Sequence, residues 1–211
     1  MAKQSLEAIK HSVDSEKPDC IAVELDINRY NAMKSEQQLS WHEAMSKLGV
    51  FTYVLYWVMK RLQIFFGKKT GIIPGSEMLR AVEIARERGI PIAFIDQDIT
   101  LTFLGIKNID FNEKVKLFWL LIKAVIGIRF PFLPGKKEKI DLQKVPEKKL
   151  VNEAMALLRK EMPGLYKVLV ENRDRFMARN LIALTERFEK IVCVIGAGHE
   201  EGIKNILKAY M

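Results

Sequence analysis

Five consecutive apolar residues, Ile191–Ile195, end directly in the turn Gly196-Ala197-Gly198-His199. A short apolar run of this kind is typical of a strand buried on both faces of a parallel sheet. The two glycines allow the backbone to turn tightly, and Glu200–Tyr210 is predicted to form a helix after the turn. Open α/β sheets bind their ligands at this kind of position, the carboxyl end of a buried strand in front of a helix. The segment therefore predicts an α/β fold with His199 as a candidate functional residue.

Two further apolar runs, Cys20–Leu25 and Ile90–Ile95, are predicted as strands, and helical sequence follows each of them. The other predicted helices cover Lys3–Ser15, the segment after a cap at Asp26, the segment after a cap at Ser76, and Pro163–Phe188. Apolar strands that alternate with helices predict a mainly parallel β-sheet with helices on both faces. A length of 211 residues suits one sizeable domain, so we expect a single domain over residues 1–211.

Two segments are apolar almost throughout, Val50–Phe66 and Val115–Phe132. Both fall short of the roughly 20 apolar residues with few charges that a membrane-spanning helix needs. We expect them to form an inserted helical region over about 40–70 and 107–160, with a charged linker at Pro134–Pro146. Their apolar surface is explained either by packing, on each other or in a homodimer, or by contact with a membrane surface.

The chain carries a formal net charge of +8, but its basic clusters, such as Lys136–Lys139, have no interleaved aromatic residues. We therefore expect no nucleic-acid partner, and attraction to an anionic membrane surface or to an acidic partner explains the charge at least as well. Cys20 and Cys193 lie in apolar runs and are expected to be free thiols in a reducing compartment. The first residues show no signal-peptide pattern, which favours a location on the cytoplasmic side, with membrane association as a further expectation.

Polar residues stand at the end of each predicted strand: Glu24, Asp96 and His199. Because the carboxyl ends of parallel strands share one sheet edge, these side chains are expected to converge there. Imidazole and carboxylate are ordinary ligands for zinc or manganese, although a catalytic zinc site usually takes three protein ligands. The structural alternative for Glu24 is a helix cap or a salt bridge to Arg29.

The predicted long helix contains the adjacent residues Arg173 and Asp174. Either they form a solvated helical face with local ion pairs, or Arg173 reaches into the cleft to hold an anionic group or polarise a carbonyl. His11 and His42 lie in polar helical sequence and are expected at the surface. The chain contains no GxGxxG or GxxxxGK[ST] motif, and Gly196-Ala197-Gly198 lacks the third glycine of a dinucleotide site.

Taken in chain order, four segments resemble motifs of the TraB/PrgY family. They are Pro18–Asp26 with Arg29-Tyr30, similar to PD-x-x-x-VELD…R; Pro91–Ile99, similar to the second strand but with Gln97 where arginine is usual; Asn172–Ala178, similar to ERD-x-x-MA; and Gly196–His199 with Gly202, similar to GAGH…G. The resemblance covers nearly the whole chain and implies a single TraB-like domain.

This resemblance implies a metal-assisted, peptidase-like site that acts on a signalling peptide. The family is named for proteins implicated in shutting down a bacterial peptide pheromone, and its superfamily includes metal-dependent peptidases with two Gly-x-x-His motifs and a glutamate. Residue by residue, His199 matches the second Gly-x-x-His histidine, Glu24 the glutamate and Arg173 the helix arginine. These three are the expected catalytic residues, and His199 and Glu24 the expected ligands of a divalent manganese, cobalt or zinc ion.

Five further residues are expected to contact the peptide substrate: Arg29, Asp96, Asp174, Gly196 and Gly198. The alternative function is a non-catalytic module that sequesters a peptide, contacts a membrane or oligomerises through the apolar helices.

Members of the family carry an additional strand and a GTAHVS-like motif with the first histidine, whereas this sequence starts at Met1, just after that position. The expectation is therefore a site with one ligand fewer and a sheet with one strand fewer. Many relatives also continue into transmembrane helices, and this sequence, which ends at Met211, resembles the soluble domain of such proteins.

Overall fold

The computed structural model of the chain describes residues 2–35, 75–126 and 147–210. The predicted apolar segment 50–66, His42, the linker 134–146 and most of the predicted helical insertion lie outside the described residues.

Three parallel strands form the sheet of the described part: β1 (Cys20–Val23), β2 (Ile92–Phe94) and β3 (Ile191–Val194). Their order is β2–β1–β3, so β1 lies in the centre, with Ala22 beside Ala93 on one side and Cys193 on the other. The predicted parallel sheet is thus confirmed, with strands one to three residues shorter than their apolar runs.

Helices flank the sheet and make up most of the described chain. They are α1 (Ala2–Glu16), α2 (Ile27–Ser35), α3 (Ser76–Glu87), α4 (Ile99–Lys107), α5 (Phe111–Ile126), α6 (Glu147–Glu161), α7 (Pro163–Tyr166), α8 (Asn172–Thr185) and α9 (Glu200–Tyr210). Between α7 and α8 the chain forms one π-helical turn, Lys167–Glu171. The predicted helix 163–188 is therefore a continuous helical segment that contains a π turn and ends at Thr185.

The sheet is covered on both faces, as the apolar strands predict. Alternate residues of each strand point to opposite faces. On the first face, the sheet packs against α1, α2 and α3 in a cluster that includes Ile21, Val23 and Phe94. On the second face, Ala22 and Ala93 pack against α8 and α9.

The chain leaves β1 toward β2 through α3 on the first face, and returns to β3 through α8 on the second face. Neighbouring strands whose connections lie on opposite faces create a crevice at the carboxyl end of the sheet. In the described part, this crevice lies between β1 and β3, where Glu24 and the turn 196–199 follow the strands.

A second apolar cluster joins the helices that do not contact the sheet. It contains Ile106 of α4, Leu117 of α5, and Leu165 and Val168 of the α7–π segment. The π turn packs closely on α4, because a Cβ on Gly105 would lie 2.7 Å from a methyl group of Val168.

Of the two predicted helix caps, Asp26 and Ser76, the structure contains only the first. Asp26 caps α2 as predicted, since its Oδ1 accepts hydrogen bonds of 3.0 Å from the backbone N–H groups of Asn28 and Arg29. The cap at Ser76 is wrong: Ser76 is the first helical residue, and the residue before it is Gly75, with φ of 91°. Gly75 takes a left-handed conformation that glycine adopts without strain, so the turn does not depend on the serine hydroxyl.

The described part of α5 bears an exposed apolar stripe. Phe111, Val115, Phe118 and Trp119 are 38–74% exposed. Within residues 2–35, 75–126 and 147–210, none of the helices has the length and apolar character needed to span a bilayer. Cys20 and Cys193 are free thiols, as expected, and His11 is exposed.

Candidate functional site

Arg173 lies at the centre of a buried charged network at the carboxyl end of the sheet. Its Nη2 donates to Glu24 Oε1 and to Asp96 Oδ2, each at 2.6 Å, and its Nε donates to Asp96 Oδ1 at 3.1 Å. Nη1 donates to the carbonyl of Leu169 in the π turn at 3.4 Å. A guanidinium has five N–H donors, and these four bonds leave one Nη1 hydrogen without a protein partner among the described residues.

Asp96 is almost completely enclosed, with its side chain 1% exposed. Besides Arg173, it accepts a hydrogen bond from the backbone N–H of Gln97 at 2.8 Å and one from Arg29 Nη1 at 3.3 Å. Two guanidinium groups therefore neutralise this one carboxylate, which makes burial of its charge tolerable. The expected salt bridge from Arg29 to Glu24 is replaced by contacts of Arg29 with Asp96 and Asp26.

His199 is held between two carboxylates. Its Nδ1 lies 2.6 Å from Asp174 Oδ1, and its Nε2 lies 3.4 Å from Glu24 Oε1. A hydrogen bond to Nδ1 orients an imidazole and leaves Nε2 as the reactive nitrogen. Because Nε2 faces Glu24 Oε1, a carboxylate lies at each of the two nitrogens of this imidazole.

Two glycines of the turn and of α9 leave room for these carboxylates. The N–H of Gly196 donates to Glu24 Oε2 at 2.6 Å, and a Cβ there would lie 3.1 Å from the same oxygen. A Cβ on Gly202 would collide with Asp174 Oδ2. The absence of side chains at these two positions therefore allows Glu24 and Asp174 to approach the turn.

Burial and ion pairing change the pKa of several groups near the site. Burial lowers the pKa of Arg173, but its bonds to Asp96 and Glu24 more than offset this effect and raise the pKa overall. Burial raises the pKa of Asp26, whose Oδ2 is the one buried side-chain oxygen or nitrogen without a hydrogen bond in the described part. Burial also raises the pKa of Cys193 to about 12, which keeps this thiol protonated and unreactive at neutral pH.

The residues of this network do not by themselves complete the divalent metal site that the family resemblance implies. Among the described residues there is no group of three or more histidine, cysteine, aspartate or glutamate side chains that can hold a metal ion. His199 and Glu24 supply only two ligand residues, and Arg173 already neutralises Glu24 and Asp96. The manganese, cobalt or zinc ion therefore remains a prediction, and no chemical step below depends on it.

A cleft of about 690 Å³ opens beside the network, between α6, α8 and α9. We call it the α6–α9 cleft. Its floor includes Asp174, Gly198 and Gly202, so it reaches the carboxylate that holds His199. Met155 of α6 lies over the turn, since a Cβ on Gly198 would lie 2.9 Å from its terminal methyl group.

The structure brings the sequence-predicted site residues together at one place. Glu24 contacts both Arg173 and His199. Asp96 contacts Arg173, Asp174 contacts His199 and Gly196 contacts Glu24, while Arg29 contacts Asp96. Gly198 lies on the cleft side of the turn. The interpretation of Arg173 and Asp174 as a solvated helical face is wrong, because Asp174 is buried and Arg173 is 17% exposed.

Sequence reasoning missed two contributions to this site. Asp174 was expected to contact substrate, whereas in the structure it holds His199. Gly202 is recognised in the sequence only as part of a motif. Its position three residues after His199 is the one sequence signal that it lies near the site, where it contacts Asp174.

Comparisons with known proteins show the family to which this chain is related. A sequence model of the TraB/PrgY/gumN family matches residues 1–210. The chain is 34% identical over 219 aligned positions to the uncharacterized protein MJ1365 of Methanocaldococcus jannaschii, covering 99% of this chain and 51% of that protein. It is 25% identical to the TraB domain-containing protein of Homo sapiens, covering 89% of this chain and 55% of the human protein. The chain thus spans about half the length of the curated relatives it matches.

Proposed function

The chain belongs to the TraB/PrgY/gumN family, and from this premise we propose that its Glu24–Arg173–His199 site hydrolyses a peptide bond. The observation that carries the proposal is the position of His199, whose Nδ1 forms a hydrogen bond with Asp174 Oδ1 and whose Nε2 lies 3.4 Å from Glu24 Oε1. Arg173 anchors this Glu24 oxygen at the carboxyl end of the sheet. A buried imidazole between two carboxylates is suited to proton transfer.

In the proposed reaction, a water molecule attacks the carbonyl carbon of the scissile peptide bond. The His199–Glu24 pair accepts a proton from this water and returns one to the leaving amine nitrogen as the C–N bond breaks. Asp174 holds the imidazole by Nδ1 and stabilises its positive charge while it carries the proton.

Arg173 has two roles in this proposal. It fixes Glu24 Oε1 beside His199, and its remaining Nη1 hydrogen is available to the oxygen of the substrate carbonyl as negative charge develops there. Because most of its donors are already bonded to protein, positioning Glu24 is the larger of the two roles.

The test is hydrolysis of a library of internally quenched peptides by the full chain and by matched variants. We expect Glu24→Gln and His199→Ala to lower kcat by at least about 100-fold, the lower range for a lost acid–base group. Glu153→Gln and His11→Ala change exposed residues of the same types, outside this network, and serve as controls. A rate that survives both site substitutions would refute the mechanism.

The same assay tests the predicted cofactor. Each reaction is run with manganese, cobalt or zinc, and after dialysis against a chelator, and the bound metal is measured for the wild type and for His199→Ala. Metal that is bound in stoichiometric amount and lost in the variant would support the metal-dependent form. Hydrolysis that is unaffected by chelation would support catalysis by the side chains alone.

The exposed stripe on α5 favours a second candidate function, contact with an anionic membrane surface. Phe118 and Trp119 are 41% and 57% exposed, and Lys114 and Lys116 lie on the same helix. Aromatic side chains combined with lysines are typical of helices that lie in a membrane interface. Flotation with phosphatidylserine-containing vesicles tests this, with Trp119→Ser as the variant expected to weaken binding. Protein that stays at the bottom of the gradient, or a wild-type dimer in light scattering that becomes a monomer in Trp119→Ser, would exclude it.

A further inference from the structure

The α6–α9 cleft carries an inference about which peptides the site accepts. Its volume of about 690 Å³ lies within the range of about 300–1,000 Å³ that is usual for ligand pockets. The cleft does not include His199 or Glu24, but it shares Asp174 with them. A ligand in the cleft therefore contacts the residue that orients the imidazole.

Three cationic side chains line this cleft: Arg159 and Lys160 at the end of α6, and Arg175 on α8. In the part of the chain that the structure describes, none of the three forms an ion pair. The guanidinium of Arg159 lies 5.6 Å from the centre of the Tyr166 ring. Stacking on a ring leaves the N–H edge of a guanidinium free to donate to a carboxylate.

We infer that the cleft binds a carboxylate of the peptide substrate through Arg159, Lys160 and Arg175. That the bound peptide is a substrate rests on the proposed function, whereas binding of its carboxylate does not require hydrolysis. Apolar side chains of Met155 and Ile206 also line the cleft and contact the aliphatic part of the peptide.

Two acidic residues that line the cleft in addition to Asp174 restrict the ligand further. Glu171 and Glu201 face it from the π turn and from α9. They repel a second anionic group on the ligand, which selects against polyanions such as nucleic acids and nucleoside triphosphates. The cleft thus favours a peptide with one carboxylate over a ligand with several negative charges.

The carboxylate has two possible sources, the carboxyl terminus of a peptide or an acidic side chain within it. Fluorescence anisotropy with three N-dansyl heptapeptides of leucine and alanine distinguishes them. One has a free carboxyl terminus, one is amidated at that terminus, and one is amidated but contains an internal glutamate. Mass spectrometry after each titration establishes whether the peptide is still intact.

We expect the wild-type chain to bind the free-terminus or the glutamate peptide at least about tenfold more tightly than the uncharged one. An exposed ion pair contributes about two- to fivefold, so the triple variant Arg159→Gln/Lys160→Gln/Arg175→Gln is expected to lose this preference. The control is Lys149→Gln/Arg179→Gln, which removes exposed cations from the same two helices outside the cleft. Both variants must give the same circular dichroism spectrum as the wild type, so that a loss of binding is not caused by unfolding.

Equal binding of all three peptides, no binding of any, or a preference that persists in the triple variant would overturn the inference. Carboxylate-dependent binding without cleavage of any peptide would support the cleft and refute the proposed hydrolysis. Cleavage with no carboxylate preference would support the hydrolysis and refute the cleft. A preference for the glutamate peptide alone would assign the carboxylate to a side chain.

Discussion

The two faces of the sheet pack against their helices in opposite ways. On the first face, large sheet residues such as Ile21 and Phe94 meet the small Ala81 and Ala85 of α3. On the second face β1 and β2 present the small Ala22 and Ala93, and the helix α8 supplies the large Met177. The backbone of α3 approaches β1 and β3 at more positions than the backbone of α8 does.

This difference explains where the charged network is found. A helix whose backbone approaches the sheet at fewer positions leaves a gap at the sheet edge, which a long side chain can bridge. Arg173, four residues before Met177 on α8, spans this gap to Glu24 and Asp96. The helix α8 on the second face thus provides Arg173 and Asp174, whereas the first face contributes Arg29 of α2 through its contact with Asp96.

The largest expected effect is that of removing this bridge. Arg173→Ala would leave Glu24 and Asp96 buried without their counter-charge, and breaking a buried pair costs about 3–5 kcal/mol. Urea denaturation measures the loss in the free energy of unfolding. Arg179→Ala, an exposed arginine on the same helix, is the control, and its effect should stay within about 0.5 kcal/mol. A loss for Arg173→Ala as small as that of the control would mean that the network does not stabilise the fold.

The second prediction compares the two faces directly. Met177→Ala on the second face and Ile84→Ala on the first face each remove a fully buried side chain, and each should cost about 2–5 kcal/mol. Only Met177→Ala loosens the helix that carries Arg173 and Asp174. We therefore expect the NMR resonances of the His199 imidazole to shift in that variant alone. Equal shifts in both variants would show that the faces are not independent.

The third prediction concerns the contact between α8 and α9. Gly202→Ala places a methyl group against Asp174 Oδ2, and overpacking of this kind costs about 1–3 kcal/mol. Because Asp174 holds His199, the rate of peptide hydrolysis should fall further than this loss in the free energy of unfolding alone would explain. Lys208→Ala, on the same helix and away from this contact, is expected to change neither. Unaltered hydrolysis in Gly202→Ala would mean that Asp174 is not needed to position the imidazole.

The smallest expected effect on stability concerns Asp26, the residue on the first face that caps α2. Burial raises the pKa of Asp26, so the folded protein holds a proton there at a pH where the unfolded chain, with a pKa of about 3.9, has lost it. This contribution to stability is present at low pH and is lost as pH rises through the pKa of the folded state.

Asp26→Asn removes the ionisation and keeps an oxygen for the N–H groups of Asn28 and Arg29. The variant should therefore gain stability relative to the wild type between about pH 4 and pH 7. Urea denaturation at both pH values measures this change. A difference between variant and wild type that is the same at both values would show that the carboxyl does not titrate as described.

The strands and the residues at their ends could be predicted because the signals are local. Each apolar run is bounded by polar residues, and parallel pairing then brings Glu24, Asp96 and His199 to one edge. The partners of these residues could not be predicted in the same way. Which carboxylate Arg173 contacts depends on the rotation of α8 about its axis, and the sequence contains no local sign of the π turn that contributes to this rotation. The mistaken cap at Ser76 has a similar cause, since the conformation of Gly75 decides that helix start.

The π turn also determines which single-residue insertions and deletions the protein can accept at this position. Leu165 before the turn and Val168 within it face the cluster with α4 and α5, and Met177 and Leu181 after it face the sheet. A π turn forms hydrogen bonds from residue i to residue i+5, one residue more than in an α-helix. Removing one residue between positions 167 and 171 would therefore restore an α-helical turn and leave both groups on their faces. Inserting one residue there would rotate one group relative to the other by about 100°, so single-residue insertions should be far less acceptable than single-residue deletions.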